Sequence, residues 1–173
     1  ALGLIGPIYA LFVEEIGGDI LDASWSYFAF MFTTGLVMYL IGQWEDKIHH
    51  KEKLVVLGYS LTAIGCFSYM FVSDQTSLII TQIILGVASA LCVPAFDALY
   101  SDLLDKEREA SEWGFEEAMI YIVTAIASVI GGYIAEIYSF RFLFFIMFLV
   151  SVMSVITSAF LLGRLDYATN SEK

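Results

Sequence analysis

Eight polar side chains lie inside long apolar segments of this 173-residue sequence and are the first candidates for binding chemistry. They are Tyr9, Thr33, Thr34, Gln82, Ser89, Asp97, Thr124 and Ser128. A hydroxyl or amide in such a segment hydrogen-bonds its own helix, a neighbouring helix or a polar ligand. The structural role is favoured for each serine and threonine, whereas Gln82 and Tyr9 suit either role.

Carboxylates inside apolar segments are costly and are usually functional. Asp97 follows Pro94 by three residues, near the end of its segment, so it either serves a site or reaches the segment boundary. Glu116 and Glu117 begin the next segment, where negative charge favours a helix N-terminus. No acidic residue stands at the centre of a segment, so the sequence indicates no proton-relay residue.

The cysteines and histidines do not form a catalytic or metal-binding pattern. Cys66 and Cys92 lie in apolar runs, as small buried side chains do. His49 and His50 are adjacent in a charged segment, and the His-Glu-x-x-His motif is absent. An intramembrane serine protease would need a histidine within its helices. We therefore expect no enzyme activity, no cofactor and no metal site, with metal binding by the histidine pair as a weak alternative.

Six apolar segments position these side chains. Hydrophobic residues make up 59% of the chain and charged residues 16%, against about 45–50% and about 25% in soluble domains. The apolar blocks of about 20 residues match a bilayer core of about 30 Å. The sequence has no basic patch, so a nucleic-acid-binding role is disfavoured. The sequence predicts an all-α polytopic membrane protein embedded in the lipid bilayer.

The predicted transmembrane helices cover residues 1–16, 25–44, 54–72, 78–99 (or to 103), 115–138 and 142–162. They form a bundle over residues 1–163, followed by a polar tail over 164–173. Thr76 or Ser77 is expected to cap helix 4. Helix 1 is short for a span and starts at Ala1, so we expect part of the N-terminus to be missing.

Basic residues predict the orientation in the membrane. Seven of the eight Lys and Arg residues lie after helix 2, after helix 4 or in the tail, and only Arg141 lies on the other side. We expect both termini to be cytoplasmic and the chain to lie in the cell (inner) membrane.

An internal repeat relates helices 1–3 to helices 4–6. Pro-Ile-Tyr-Ala-Leu-Phe starts at Pro7, and the similar Pro-Ala-Phe-Asp-Ala-Leu-Tyr starts at Pro94. Gly42 precedes an acidic residue by four positions, as Gly132 does. Three helices are an odd number, so repeats over about 1–73 and 76–163 would have inverted topology, a pattern typical of transporters. Chance similarity between apolar helices is the alternative.

The segment after helix 2 carries a family motif. It reads Gly42-Gln-Trp-Glu-Asp46-Lys47-Ile-His-His-Lys51 and resembles the motif after helix 2 of the major facilitator superfamily, with His49 in place of its second glycine. Helix 4, from Gln82 to Ala95, also resembles that family. Gly131-Gly132 fits the end of its antiporter signature in helix 5, but Ala127 and Ser128 replace a glycine and a proline, so antiport stays undecided.

The resemblance implies a cytoplasmic charge network, because the family pairs a helix 4 acid and a loop arginine with the motif after helix 2. The motif and gating residues would be Gly42, Asp46, Lys47, Lys51, Asp102 and Arg108. Gly42 would permit close helix packing. The alternative is an ordinary solvated charged face.

The resemblance also implies the function. The chain would be one six-helix half of an alternating-access transporter, with a cavity for a small-molecule substrate along helices 1 and 4. A half needs a second six-helix half, either from a homodimer or from a missing C-terminal half. A non-transporting membrane receptor or assembly protein on the same fold is the alternative.

Overall fold

The computed structural model describes the backbone of residues 1–45 and 51–171, and the side chains of 1–42 and 51–160. Within these residues there are six α-helices and no strand, which confirms the predicted all-α class. The helices are α1 (Tyr9–Glu15), α2 (Ile20–Glu45), α3 (Lys51–Ser68), α4 (Gln75–Leu103), α5 (Glu109–Ile137) and α6 (Phe140–Ser171). The apolar span of α6 ends at Phe160 in the described part, close to the predicted Leu162, and the helix itself continues to Ser171.

The first apolar segment is a broken helix rather than the continuous one predicted over residues 1–16. Two short 3₁₀ turns, Leu2–Leu4 and Gly6–Ile8, precede α1. Pro7 lies in the second turn, where it has no N–H to donate and its ring would crowd the carbonyl of Gly3 in an α-helix. The chain therefore becomes α-helical only from Tyr9.

Five helices of the described part are long and apolar enough to span a membrane. The spans are Ile20–Gly42, Lys51–Phe71, Gln75–Leu103, Glu109–Ile137 and Phe140–Phe160. The broken first segment runs alongside them and is buried at several positions, with Phe12 3% and Val13 1% exposed. The chain is thus a multi-pass membrane protein.

Local sequence sets where α1 ends and α2 begins. Gly17 takes a left-handed φ of 82°, which a side chain would disfavour. The carboxylate of Asp19 then accepts hydrogen bonds from the backbone N–H groups of Leu21 (2.8 Å) and Asp22 (2.9 Å). This is the N-cap arrangement that satisfies the free donors of a helix start.

The cap of α4 differs from the prediction of Thr76 or Ser77. Asp74 is the N-cap, and its carboxylate accepts a hydrogen bond from the N–H of Ser77 at 2.9 Å. The Ser77 hydroxyl completes a capping box by accepting from the N–H of Asp74 at 3.2 Å. A carboxylate is a strong acceptor, so it outcompetes the nearby hydroxyls for the cap position.

Helix α4 is the centre of the bundle. It packs against α2 on one side and α3 on the other, and α3 in turn packs against α6. Two glycines permit these close contacts. A Cβ on Gly58 of α3 would lie 2.6 Å from the Cβ of Cys92, and one on Gly86 would lie 2.8 Å from the carbonyl oxygen of Phe30. Small residues at such crossings are typical of membrane helices.

The broken first segment completes the bundle by packing against α5. A Cβ on Gly131 of α5 would overlap the backbone of Leu4. Further along, Phe12 meets the rings of Tyr69 and Phe144, with centroid separations of 5.9 Å and 4.7 Å. This aromatic cluster closes the interior where the first segment, α3 and α6 converge.

Helices α2 and α5 remain mostly unpacked. Only 6% of the most apolar stretch of each is buried, against 50% in α4 and 39% in α3. Their outer faces carry large apolar and aromatic side chains, including Tyr39 (82% exposed), Tyr121 (71%) and Val129 (74%). The core therefore forms from the first segment, α3, α4 and α6, with α2 and α5 at its margins.

Candidate functional site

A hydrogen-bonded chain of side chains links the first segment, α2 and α4. The amide nitrogen of Gln82 donates to the hydroxyl of Tyr9 over 2.7 Å. The Tyr9 hydroxyl donates to the Ser26 hydroxyl over 2.6 Å, and Ser26 donates to the carbonyl of Asp22 over 2.8 Å. Ser26 is fully buried and Gln82 is 6% exposed. Each of the three side chains thereby donates one hydrogen bond to an acceptor inside the protein.

A small cavity of about 180 Å³ lies beside this chain. Its described lining combines Tyr9 and Gln82 with further aromatic side chains, namely Tyr27, Phe30 and Tyr69. None of the described lining residues is charged. The cavity therefore offers ring surfaces and a polar pair, a setting that suits an uncharged or apolar group and would penalise an unpaired charge.

Thr33 and Thr34 lie at the crossing of α2 and α4. The Thr34 hydroxyl donates to the carbonyl of Phe30 at 2.8 Å and lies 3.3 Å from the carbonyl of Gly86. The side chain of Thr33 packs on Gly86, whose Cβ position is 2.9 Å from the Thr33 Cβ. Both threonines therefore lie at this helix crossing, and only the hydroxyl of Thr34 bonds to backbone carbonyls there.

Three other candidates lie apart from the Tyr9–Gln82 pair. Ser128 donates to the carbonyl of Ala125 in its own helix at 2.8 Å. Thr124 is exposed on α5 and packs against Gly3, with 3.2 Å between its methyl group and the Cβ position of that glycine. Ser89 is half-buried on α4.

Asp97 is exposed on α4 rather than enclosed in the bundle. Its carboxylate lies near enough to those of Glu116 and Glu117 of α5 to be repelled by them. Among the described residues no group of histidine, cysteine and acidic side chains could hold a metal ion.

The motif residues are only partly visible. Asp46 and Lys47 lie outside the described residues. Lys51 is half-buried at the first turn of α3, and nothing in the described part lies within 4 Å of a Cβ placed on Gly42. The close packing expected at Gly42 is therefore not seen there.

Asp102 and Arg108 bracket the turn between α4 and α5. Arg108 is the N-cap residue of α5, and its carbonyl accepts from the N–H groups of Ser111 and Glu112, at 3.0 Å each. In the described part of the chain, no ion pair joins Asp102 to Arg108. The turn is instead held by Glu112, whose carbonyl accepts the Tyr100 hydroxyl at 3.0 Å.

Sequence reasoning missed four residues of the site: Ser26, Tyr27, Phe30 and Tyr69. Ser26 lies among several small and polar residues at the start of α2, where its burial has no local signal. The three aromatic residues read as ordinary apolar side chains. The four-residue spacing of Asp22 and Ser26 predicts the bond from the Ser26 hydroxyl to the Asp22 carbonyl within α2. It does not predict the bond from Tyr9 to Ser26.

Comparison with known proteins gives the family. A family model of the Major Facilitator Superfamily matches residues 1–173, so the chain belongs to that superfamily. The family predicted from the sequence is thereby confirmed.

Two relatives illustrate the match. An uncharacterised MFS-type transporter of Methanocaldococcus jannaschii is 24% identical over 172 residues, covering 99% of this chain and 44% of the relative. The quinolone resistance protein NorA of Staphylococcus aureus is 22% identical over 170 residues, covering 98% of this chain and 43% of the relative. The chain thus spans less than half the length of these relatives.

Proposed function

We propose that this chain is one six-helix half of a transporter that moves a small solute across the membrane by alternating access. The observation that carries this proposal is the Tyr9–Gln82 hydrogen bond beside an uncharged, aromatic cavity. Tyr9 and Gln82 belong to the first helix of each proposed repeat, the helices that line the central cavity in the resembled family. The solute is moved without chemical change, so the chain is a transporter and not an enzyme.

The uncharged lining defines the solute class. A charged group buried beside Tyr27 and Phe30 without a counter-charge would cost more free energy than their ring contacts return. The solute therefore presents an aromatic or apolar face to these rings and a hydrogen-bonding group to Gln82. The name of the S. aureus relative points to quinolones, whose aromatic ring system fits this face while their carboxylate would have to stay outside the uncharged cavity, and makes a quinolone a rational first probe. The other candidates, Thr33, Thr34, Ser89, Asp97, Thr124 and Ser128, are not among the described residues that line this cavity, so in this proposal any contact they make with the solute lies elsewhere on its path.

A second six-helix half covers α2 and α5. These helices are the second members of the two proposed repeats, and they are the two spans with the smallest buried share, since each packs on the bundle along one face and leaves its outer face uncovered. The second half is either another copy of this chain or a different six-helix segment. Their exposed Tyr39, Tyr121 and Val129 then lie at the junction between halves.

Contacts between the repeats support the inverted-repeat proposal. The first helix of one repeat packs on the second helix of the other: the first segment on α5, and α4 on α2. Both contacts set a glycine against a threonine, Gly3 on Thr124 and Gly86 on Thr33. The third helices, α3 and α6, pack on each other. A two-fold relation between residues 1–73 and 76–163 produces this set of pairs.

In this proposal the chain lies in the cell membrane with both termini and the segment 164–173 in the cytoplasm, as the distribution of basic residues favours. Gly42, Asp46, Lys47, Lys51, Asp102 and Arg108 then share the cytoplasmic face. They act there as a gating network that forms and breaks as the halves rock.

Uptake of a fluorescent quinolone into proteoliposomes tests the proposal. We expect wild-type protein to accumulate or expel the probe and Gln82→Leu to abolish that movement, because the leucine removes the donor to Tyr9. Thr62→Val, which removes a hydroxyl that donates within α3 to the carbonyl of Gly58 and does not line the cavity, serves as the control. If the probe binds but is not moved, either by the chain alone or by the chain with a second half, the receptor alternative is favoured. If the probe neither binds nor moves, a quinolone-like solute is rejected.

Pairing through α2 and α5 is tested by photo-crosslinking in cells. A benzoylphenylalanine at Val129 should form a protein–protein adduct, whereas the same residue at Phe160, which is 75% exposed at the end of the α6 span, should not. The mass of the purified protein by light scattering, corrected for detergent, then identifies the partner. A dimer indicates a second copy, and a monomer indicates a different second half. Adducts at Phe160 alone would reject the proposed surface.

A further inference from the structure

A second cavity lies away from the Tyr9–Gln82 site. It measures about 550 Å³ and is a groove between α3, α4 and α6. That volume falls within the range of about 300–1,000 Å³ typical of small-molecule sites. Its described lining includes Val55, Leu99, Val150 and Met153, all within the membrane spans.

Most of the hydroxyl groups along the groove are already used inside the protein. Ser154 donates to the carbonyl of Val150 at 3.1 Å, and Thr157 donates to that of Met153 at 2.8 Å. Tyr100 donates to the carbonyl of Glu112 at 3.0 Å.

Ser158 is used in the same way, since its hydroxyl donates to the carbonyl of Val155 at 3.0 Å. The fifth hydroxyl of the described lining belongs to Tyr59, whose side chain packs against the cluster that contains Cys92. With four of these five hydroxyls bonded within the protein, the groove presents a mainly hydrocarbon surface. It therefore suits an apolar chain and not a polar solute.

The groove has the dimensions and position of a lipid chain in one leaflet. Its wall on α6 runs from Val150 to Ser158, about 12 Å along the helix axis. One leaflet of a bilayer core is about 15 Å thick. The wall on α3 starts at Val55, in the second turn of that helix, and the wall on α4 reaches Leu103, its last residue. The groove therefore extends inward from one membrane surface.

A basic side chain stands at the outer end of the groove. Lys51, Val55 and Tyr59 are spaced by four residues, so they lie in line on one face of α3. Lys51 is half-buried at this end, whereas Lys53 is exposed and lies on the opposite side of the helix. A lysine above an apolar groove complements a negatively charged headgroup above an acyl chain.

We propose that this groove binds an anionic phospholipid, with one acyl chain between α3, α4 and α6 and the phosphate at Lys51. In the orientation given under Proposed function, the lipid comes from the cytoplasmic leaflet, where anionic lipids concentrate. Only that leaflet assignment depends on the proposed function. The site itself is separate from the cavity at Tyr9 and Gln82.

Native mass spectrometry of the purified protein tests the site with two defined lipids, dioleoylphosphatidylglycerol and dioleoylphosphatidylcholine, each added to the detergent. We expect wild-type protein to retain phosphatidylglycerol in preference to phosphatidylcholine. Lys51→Ala should weaken phosphatidylglycerol binding about fivefold, the effect of one basic side chain near an anionic lipid surface. The matched Lys53→Ala should leave it unchanged. Equal effects of the two variants would overturn the headgroup assignment.

The acyl chain is tested separately from the headgroup. Ser154→Phe should fill the groove and reduce retention of both lipids, whereas Val129→Phe, on the exposed face of α5, should not. A second readout does not depend on whether Ser154→Phe folds. Met153 is 67% exposed, so Met153→Trp is accommodated. Phosphatidylglycerol with brominated acyl chains should quench the fluorescence of the tryptophan introduced at position 153 more strongly than that of a tryptophan introduced at position 129.

Three results would overturn the lipid proposal. One is equal quenching at positions 153 and 129. Another is lipid retention that Ser154→Phe does not reduce. The third is a dimer, measured by light scattering, that becomes a monomer in Ser154→Phe, since that result would assign the groove to a second copy of the chain. None of these outcomes depends on solute transport.

Discussion

Gln82 and Tyr9, 73 positions apart in the sequence, are joined by a 2.7 Å hydrogen bond from the amide of Gln82 to the phenolic oxygen of Tyr9. The bond fixes the broken first segment to the central helix α4. The same phenol donates to Ser26 of α2, so one side chain connects three elements. Loss of this phenol would leave two polar groups of the interior without their partner.

A double-mutant cycle on Tyr9 and Gln82 should measure this connection. Tyr9→Phe and Gln82→Leu are each expected to lower the free energy of unfolding by about 1 kcal/mol, the scale of hydrogen bonds between membrane helices. The double variant should lose less than the sum of the two, because both changes remove the same bond. Thermal unfolding in detergent gives the values. Strict additivity would show that the bond contributes nothing to stability.

Gly86 is expected to be intolerant of a side chain. A Cβ there would lie 2.8 Å from the Phe30 carbonyl oxygen and 2.9 Å from the Thr33 Cβ, so Gly86→Ala must push α2 from α4. We expect destabilisation of about 1–3 kcal/mol, as for an overpacked core. Gly35→Ala, on α2 with open space at its Cβ position, is the matched control and should be neutral or slightly stabilising. Equal melting temperatures for the two variants would contradict the tight crossing.

Asp74 should make the start of α4 sensitive to acid. The N–H of Ser77, which donates to this carboxylate, holds the pKa of Asp74 below its ordinary value. A carboxyl group whose pKa is lower in the folded state stabilises the protein above its unfolded pKa of about 3.9. That stabilisation is lost as the pH falls through the lower, folded value.

Asp74→Asn provides the comparison, because asparagine caps a helix but does not titrate. As the pH falls from 5 through the folded pKa of Asp74, the melting temperature of the wild type should fall more steeply than that of Asp74→Asn. The reason is that only the wild type loses the stabilisation by the ionised carboxylate. Identical pH profiles for the two proteins would show that Asp74 does not contribute to the acid response.

The proposed orientation predicts which loops are accessible from outside the cell. Ser73→Cys, between α3 and α4, should react with a membrane-impermeant maleimide in intact cells. Lys106→Cys, between α4 and α5, should react only after permeabilisation. The native Cys66 and Cys92, 0% and 9% exposed, give the background in the unmodified chain. The reverse pattern of labelling would invert the orientation.

The apolar blocks predicted the six helices because bilayer thickness fixes how long an apolar run must be. Their ends were less accurate, since polar residues can continue a helix beyond the apolar run. Helix α2 begins at Ile20 and not at Trp25, because Asp19 caps it earlier. The break around Pro7 was also not predicted, although the proline itself was noted as part of the repeat.

The candidate site was partly predictable. Tyr9 and Gln82 were identified individually because a phenol and an amide are unusual in apolar helices, but their direct bond depends on how the first segment crosses α4. Ser26 was missed because a serine near a helix start is equally suited to solvent. Helix crossings are set by the shapes of small residues such as Gly86, and one sequence does not reveal which helix faces a given glycine.

The position of α2 and α5 outside the buried core bears on the order in which the helices associate. The buried core draws on the first segment, α3, α4 and α6, and it closes around Phe12, Tyr69 and Phe144 without help from the outer faces of α2 and α5. Helices that insert first and associate later follow a two-stage route to the native state. Under the proposed pairing the route would have a third stage, in which the bundle docks α2 and α5 on a second half. We therefore expect a chain without its partner to stay in the membrane as a folded subunit rather than as an unfolded chain.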